Sequence, residues 1–229
     1  MSTEARADEM LATEWSGGAL PYHIGHKKLG MWLFIVSDAL TFSALLMGYS
    51  YVRAASEQWP TPFPFSPSII FSTVMTLCLL SSSLTMVMAV AASARKDRRK
   101  VRLWIFATML GGLSFLVLHM IEWKHLLDEG LRPFGLREGS QFAHEWAERW
   151  PNAPPLFGAT FFAITGLHMF HVFTGVVYLG WIAVRVHRMR HEDVEISGLY
   201  WHFVDLVWMF VFPLIYLLSV DFHPEQMPH

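Results

Sequence analysis

The chain has 229 residues and a mass of 26.3 kDa; 53% of its residues are hydrophobic and only 16% are charged. Soluble domains usually carry about 25% charged residues, so this composition excludes an ordinary soluble domain. The net charge of −2 and the pI of about 6.6 argue against nucleic acid as a partner. The single cysteine, Cys78, excludes a disulfide framework, a cysteine-based zinc site and covalent c-type haem attachment, because each needs at least two cysteines.

Five apolar stretches divide the chain, and each is long enough to cross a bilayer, which needs about 20 mainly apolar residues. They are predicted at 30–52, 68–94, 101–127, 155–184 and 199–220. The charged residues inside them are Asp38, Arg102, Glu122, Lys124 and Asp205. Because the stretches show no alternation of polar and apolar residues, they predict an all-α integral membrane protein, a bundle of five transmembrane helices.

The remaining segments complete the predicted organisation. Residues 1–28 form a polar tail without an evident signal peptide, 29–220 form the membrane domain, and 221–229 form a C-terminal tail. Residues 141–150 are predicted to form a short amphipathic surface helix, and Pro213 is predicted to kink the fifth helix.

The distribution of Lys and Arg predicts the orientation. Of the 17 Lys and Arg residues, twelve lie in or beside the N-terminal tail and the second and fourth connections, and five lie on the opposite side. Cytoplasmic loops carry the excess of positive charge, so the N-terminus is predicted in the cytoplasm and the C-terminus outside.

Asp38 is a candidate functional residue because an ionisable side chain deep in a membrane is costly. It lies eight residues into the first predicted helix, about 12 Å from its cytoplasmic end. We expect it to face protein or water and to be protonated or hydrogen-bonded. The alternative to a functional role is a structural acid that bonds a hydroxyl such as Ser37 or Thr41.

The third predicted helix ends with His119, Glu122 and His125. His119 and Glu122 are i,i+3 neighbours and share a helix face. The Glu122-x-x-His125 spacing also matches half of a di-iron motif, but the chain supplies only one such motif. A polar cap near the outer surface is the favoured interpretation.

His168 and His171 lie near the middle of the fourth predicted helix, flanked by Gly166 and Gly175. Paired histidines can hold haem or copper, but a metal site would need further ligands at the same depth. Interhelical hydrogen bonds explain the pair more simply, with the glycines permitting close helix approach.

His202 and Asp205 share one face of the fifth predicted helix, about 5 Å and 9 Å below its cytoplasmic end. Such a pair could collect or relay protons, or it could be a packed, neutralised pair. Tryptophans near the span ends, including Trp201, are expected in an interfacial aromatic belt.

Three blocks of the sequence resemble subunit III of the haem-copper respiratory oxidases. They are GMWLFIVSD ending at Asp38, ATFFAITGLHMFHVFTG ending at Gly175, and YWHFVDLVW ending at Trp208. Glu122 and Trp123 stand where that family has an acidic-aromatic pair, and the resemblance extends from about residue 28 to 220.

The resemblance implies a non-catalytic subunit that binds no haem or copper and packs against subunit I of a bacterial inner-membrane oxidase, together with subunit II. The haem and copper centres of the complex, which reduces oxygen to water and translocates protons, would lie in the partner subunits. This chain would support proton uptake, protect the enzyme during turnover and hold structural phospholipid. Asp38, His202 and Asp205 are the residues assigned to proton uptake.

Two features depart from the longer members of the family. Those members have seven helices, whereas this chain resembles a five-helix form that lacks the first two. The buried acid of the first block is commonly Glu in cytochrome c oxidases, whereas here it is Asp38, as in quinol-oxidising relatives. The electron donor, cytochrome c or quinol, is therefore left open.

The basic residues Arg95, Arg98, Arg185 and Arg188 could hold lipid phosphates, or they could serve only to set the topology. Two other functions compete with the oxidase interpretation. One is an accessory membrane subunit of nitric oxide reductase, and the other is a membrane metalloenzyme that uses His119, Glu122, His168 and His171. A secondary transporter is disfavoured because the sequence shows no internal repeat.

Overall fold

The computed structural model describes residues 26–154, 156–188 and 190–221. Its α-helices are α1 (His26–Ala55), α2 (Ile70–Ala94), α3 (Arg98–Glu129), α4 (Gln141–Arg149), α5 (Leu156–Arg185) and α6 (His191–Val211). Its strands are β1 (Phe63–Pro64), β2 (Leu131–Arg132), β3 (Gly135–Leu136) and β4 (Val220–Asp221). An irregular segment, Phe65–Ile69, in which Ser66 has extended backbone (φ −123°, ψ 131°), precedes α2. A π-helix, Phe212–Tyr216, and a 3-10 turn, Leu217–Ser219, follow α6.

Within the described residues, five helical segments are long and apolar enough to cross a membrane. They are His26–Ala55, Ser66–Ala94, Arg98–Glu129, Leu156–Arg185 and His191–Ser219. The prediction of an all-α fold with five candidate transmembrane helices is therefore confirmed. The two predicted tails, 1–28 and 221–229, lie mostly outside the described residues.

The predicted start of the last helix, at residue 199, is wrong. Helix α6 begins at His191 because the Asp193 carboxylate accepts a hydrogen bond from the backbone N–H of Arg190 at 3.0 Å. Glu192 and Asp193 also place negative charge in the first turn, where the helix dipole favours it. Polar residues of the fourth predicted connection thus form the first two turns of this helix.

Helices α2, α3, α5 and α6 form the core of the bundle, and α1 packs on its outside against α6 and α5. In the most apolar part of α6 half of the residues are buried, compared with 11% in α1. Helices α2 and α3 have the most extensive contact of any two helices described. A tight turn joins them, in which Lys96 has a φ of 59°. The side chain of Asp97 then caps α3 by accepting the N–H of Lys100 at 3.1 Å.

The bundle has two chemically different ends. At the basic end, α1 and α6 begin, α2 joins α3, and α5 joins α6. Lys27 pairs with Asp193 there at 3.0 Å, and Arg102 Nη2 lies 3.0 Å from His187 Nε2. At the opposite end, named the loop end, Arg53 donates to the carbonyl oxygen of Leu218 at 2.7 Å.

Short strands and the amphipathic helix α4 cover the loop end. Strand β1 pairs in parallel with β4, and β2 pairs with β3 in an antiparallel hairpin. Helix α4 forms where a surface helix was predicted, is capped by Ser140, and buries Trp146 against Phe157 at 6.0 Å. The irregularity predicted at Pro213 takes the form of the π-helix after α6, since proline lacks a backbone N–H.

Candidate functional site

Asp38 of α1 and His171 of α5 meet across the bundle. Their Oδ2 and Nε2 atoms lie 3.2 Å apart, and their side chains are only 12% and 10% exposed. The other ring nitrogen, Nδ1, lies 2.8 Å from the carbonyl oxygen of Leu167, one turn earlier on α5. The contact with Asp38 is less well aligned than a full hydrogen bond, so Asp38 Oδ2 has no hydrogen-bond partner among the described residues.

The hydrogen bond of His171 to Leu167 fixes the position of one hydrogen on the imidazole ring. A carbonyl oxygen only accepts, so Nδ1 carries a hydrogen and Nε2 faces the Asp38 carboxyl. If the pair holds one further proton, on the aspartate or on the imidazole, it has no net charge. An uncharged pair that can hold a proton on either member is suited to a membrane interior, where an isolated charge is costly.

The structural partners predicted for Asp38 are wrong. Ser37 donates to the carbonyl oxygen of Phe34 at 2.8 Å, and Thr41 donates to that of Ser37 at 3.1 Å. Hydroxyl groups in helices often donate hydrogen bonds to backbone carbonyls of the preceding turn, and they are then not available for contacts with other groups. Asp38 also lies twelve residues from the start of α1, about 18 Å from the basic end rather than 12 Å.

A groove of about 520 Å³ extends from His171 along α1 and α5 toward the basic end. Its lining residues are Met31, Phe34, Phe170, His171, Thr174, Tyr178 and Tyr200. The Tyr200 hydroxyl donates to the carbonyl oxygen of His171 at 3.0 Å and lies 2.9 Å from the Thr174 hydroxyl. These contacts attach α6 to the backbone that carries His171 and place hydroxyl groups beside the pair.

Glu122 is the second buried acid, and it joins three segments of the bundle. Ser72 of α2 donates to Oε1 at 2.6 Å, and Tyr216 donates to Oε2 at 2.7 Å from the π-helix after α6. The Ser72 hydroxyl also lies 3.1 Å from the carbonyl oxygen of Ser68. Because the hydroxyl has a single hydrogen, it cannot donate fully to both acceptors. A protonated Glu122 that donates to Ser72 would satisfy all these groups without a buried charge.

His119 and Glu122 lie inside the bundle, and their interpretation as a polar cap near the outer surface of the membrane stays a prediction. Both residues are buried, at 0% and 7% exposed, and His119 Nδ1 lies 3.8 Å from Glu122 Oε2. The side chain of His125 instead points outward and pairs with Glu129 at 3.1 Å. Glu122 and His125 therefore do not act together as half of a di-iron site.

The two histidines of α5 behave differently. His171 makes the interhelical contact that was expected, whereas both ring nitrogens of His168 lack a partner among the described residues. The two glycines of α5 leave room for aromatic rings from neighbouring helices, so the expected close approach of helix backbones is not what they provide. A Cβ at Gly175 would lie 3.0 Å from the Trp201 ring, and a Cβ at Gly166 would lie 3.0 Å from the Trp123 ring.

His202 and Asp205 both face Ser83 of α2. His202 Nδ1 lies 3.3 Å from the Ser83 hydroxyl, and the Asp205 carboxyl faces the same hydroxyl. Asp205 is 7% exposed and its Oδ1 atom has no partner among the described residues. Because α6 begins earlier than predicted, the two residues lie about 17 Å and 21 Å from its first residue, deeper than the sequence indicated.

Hydroxyl groups on α2 are structural residues that the sequence reasoning missed. Trp201 donates to Ser82 at 3.0 Å, and Trp208 donates to Thr76 at 2.9 Å. Trp201 is 1% exposed, so its expected place in an interfacial belt is wrong. The signal was available in the many Ser and Thr residues of an otherwise apolar helix, which are typical of close helix contacts in membranes.

The basic residues that were considered for lipid phosphates lie at the basic end. Arg185 stacks its guanidinium 4.9 Å from the centre of the Trp181 ring. Arg98 lines a polar pocket of about 510 Å³ together with Lys96 and His191. Arg95 is exposed on the turn between α2 and α3.

Across the part of the chain that the structure describes, no three His, Cys, Asp or Glu side chains converge closely enough to hold a metal ion. Of the residues considered above as ligands, His119 lies beside Glu122, His171 contacts Asp38, and His168 has no hydrogen-bond partner among the described residues. The ring of Phe42 packs against both His171, at 5.4 Å, and His168, at 6.5 Å.

Comparisons with known proteins agree with this architecture. A sequence model of the family "Cytochrome c oxidase subunit III" matches residues 140–220. Cytochrome c oxidase subunit 3 of Thermostichus vulcanus is 30% identical over 203 residues, which cover 86% of this chain and 90% of the relative. The corresponding protein of Synechocystis sp. is 30% identical over 227 residues, covering 95% and 88%.

A relative from a quinol oxidase is nearly as similar. Cytochrome bo(3) ubiquinol oxidase subunit 3 of Pseudomonas putida is 28% identical over 200 residues, covering 84% of this chain and 86% of the relative. The matches to these relatives cover most of the chain rather than one motif, and they include oxidases named for different electron donors. The chain belongs to the subunit III family of the haem-copper oxidases.

Proposed function

We propose that this chain supports proton uptake by subunit I of a bacterial oxidase, with the Asp38–His171 pair as its proton-holding site. The observation that carries the proposal is the 3.2 Å contact between a carboxyl and an imidazole on different helices, both nearly buried. The pair holds one exchangeable proton at no net charge. The adjoining groove, with the hydroxyls of Thr174 and Tyr200, supports a path toward the basic end.

The proposal places the basic end in the cytoplasm, because most Lys and Arg residues flank that end. The N-terminus would then be cytoplasmic and the C-terminus outside, in the inner membrane of a bacterium. His202 and Asp205 lie on the same half of the bundle but have no contact with Asp38. They remain candidates for a second, separate role in proton uptake.

Lipid contact and stabilisation of the complex form the second part of the proposal. An apolar groove of about 440 Å³ runs between α1 and α6, with Phe42, Leu46, Val207 and Phe210 among its lining residues. A phospholipid acyl chain would match this apolar lining. Arg95, Arg98, Arg185 and Arg188 could hold headgroup phosphates at the basic end. Haem and copper would be held by the partner subunits, not by this chain.

Replacement of Asp38 by asparagine in the assembled oxidase tests the proton-holding role. Asparagine keeps the size and polarity of the side chain but cannot release a proton. We expect normal assembly, a several-fold slower proton uptake and a shorter catalytic lifetime. Ser37→Ala is the matched control, because Ser37 is adjacent and exposed and bonds only within its own helix. Unchanged uptake and lifetime across pH 6–9 in Asp38→Asn would refute the proposal.

A further inference from the structure

We propose that α3 and α5 enclose a binding site for ordered water between the imidazoles of His119 and His168, with the indole N–H of Trp123 as a third partner. The site lies beside Glu122 and inside the bundle. It is separate from the Asp38–His171 pair and does not depend on the proposed role in proton uptake.

The imidazoles of His119 and His168 are completely buried. His119 and His168 are 0% exposed, and all four of their ring nitrogens lack a hydrogen-bond partner among the described residues. A neutral imidazole has one N–H donor and one acceptor nitrogen, so the two rings together present two donors and two acceptors. Buried polar groups of this kind are normally paired, and water is the usual partner where protein atoms do not serve.

The surrounding side chains that the structure describes supply no alternative hydrogen-bond partner for the two imidazoles. Both imidazoles pack against Phe115, at 5.5 Å and 5.6 Å, and against Trp208, at 5.5 Å and 4.9 Å. Phe115 has no polar atom, and the indole N–H of Trp208 is already donated to Thr76 at 2.9 Å. The nearest carboxyl, that of Glu122, lies 3.8 Å from His119 Nδ1, which is too long for a hydrogen bond.

Trp123 lies one turn after His119 on α3. Its ring centre is 5.9 Å from that of His119, and its ring also packs over Gly166 on α5. Its buried indole N–H has no partner among the described residues. A buried water needs about two to four polar partners, and these three neighbouring side chains offer five unpartnered polar atoms.

Phe42 closes the site on the side of α1. Its ring packs edge-on against His168 at 6.5 Å and His171 at 5.4 Å. Both nitrogens of His171 are engaged, one near Leu167 and the other near Asp38, so this histidine has none left for the water. The water site is therefore a closed polar site rather than a continuation of the Asp38–His171 pair.

A map of the intact oxidase that resolves other buried waters tests the inference directly. We expect a water peak about 3 Å from a ring nitrogen of both His119 and His168. The peak should disappear in His168→Phe and persist in Thr165→Val. Thr165 is buried on the same helix and donates only to the carbonyl oxygen of Phe161, so its loss does not touch the site. Such a map without the peak would overturn the inference.

Thermal denaturation of the same complex gives an independent test. If the histidines share water, His119→Phe and His168→Phe should each lower the midpoint by about 2–4 °C. The midpoint of the double variant should fall by less than the sum of the two single shifts, because both histidines bind the same water. In a dry enclosure each replacement would instead remove an unsatisfied polar group and raise the midpoint. A rise in both single variants contradicts the water site.

Discussion

The hydroxyl of Tyr216 lies 2.7 Å from Glu122 Oε2 and connects the end of the last transmembrane segment to α3. Both residues are buried, and Ser72 of α2 bonds the other oxygen of the same carboxyl at 2.6 Å. One carboxyl thus fixes the relative positions of three segments near the loop end. The contact accounts for a buried acid in this family member without any catalytic role.

Replacement of Tyr216 by phenylalanine should destabilise the subunit by about 1–3 kcal/mol, because the Glu122 carboxyl would lose a partner in a buried site. Thermal or denaturant unfolding of the purified complex measures the loss. Tyr51→Phe is the matched control, since Tyr51 is 75% exposed and should change the stability by less than about 0.5 kcal/mol. Equal effects of the two variants would contradict the structural role of Glu122.

Gly112→Ala should be strongly destabilising because the new methyl group has no space. A Cβ at Gly112 would lie 2.5 Å from the ring of Trp201 and 2.9 Å from Val176. Overpacking of this kind costs about 1–3 kcal/mol. The control is Gly48→Ala on α1, where no atom lies within 4 Å and alanine should be neutral or favourable. Loss of assembled complex with Gly112→Ala but not with Gly48→Ala is the expected result.

The sequence was sufficient to predict the five membrane helices, because apolar length alone decides whether a segment can span a bilayer. It also identified Asp38 and His171 as buried polar residues, but it did not pair them. Their separation of more than 130 residues gives no periodicity from which contact could be inferred. The pairing depends on how α1 docks against α5, which is a tertiary property.

The boundaries of α6 and the burial of Trp201 were mispredicted for a related reason. Hydropathy detects where a helix is apolar, whereas Asp193 extends α6 through capping and charge beyond the apolar region. A tryptophan near a predicted span end is typical of the membrane interface. Here Gly112 and Gly175 leave space for its ring between α3 and α5, and their packing role appears only once the helices are assembled.

Lys27 and Asp193 should contribute very differently to stability although they form one ion pair. Lys27 is 71% exposed, so Lys27→Met should cost less than about 1 kcal/mol. Asp193→Ala should cost about 0.5–2 kcal/mol, because it also removes the acceptor for the Arg190 N–H at the start of α6. Unfolding measurements at low and high salt distinguish the two effects. Equal losses that vanish in salt would show that only the ion pair matters.

The start of α3 should lose stability at low pH. The Lys100 backbone N–H donates to Asp97 and holds the pKa of this carboxyl below its ordinary value of 3.8. A lowered pKa means that the stabilisation is fully present above the unfolded value and is lost as the pH falls through the folded one. Hydrogen exchange of the first turn of α3 between pH 5 and pH 2 should show this loss. Asp97→Asn should remove this pH dependence while retaining a cap.

Asp38 and His171 should behave as one functional unit in a double-mutant cycle. Either Asp38→Asn or His171→Gln removes a partner from the shared proton, so each single variant should slow proton uptake by a similar factor. The double variant should be hardly slower than either one, because the second change acts on a pair that no longer exists. Ser37→Ala is again the control, because Ser37 is exposed and bonds only within its own helix. Additive losses in the rate of proton uptake would show that the two side chains act independently despite their 3.2 Å contact.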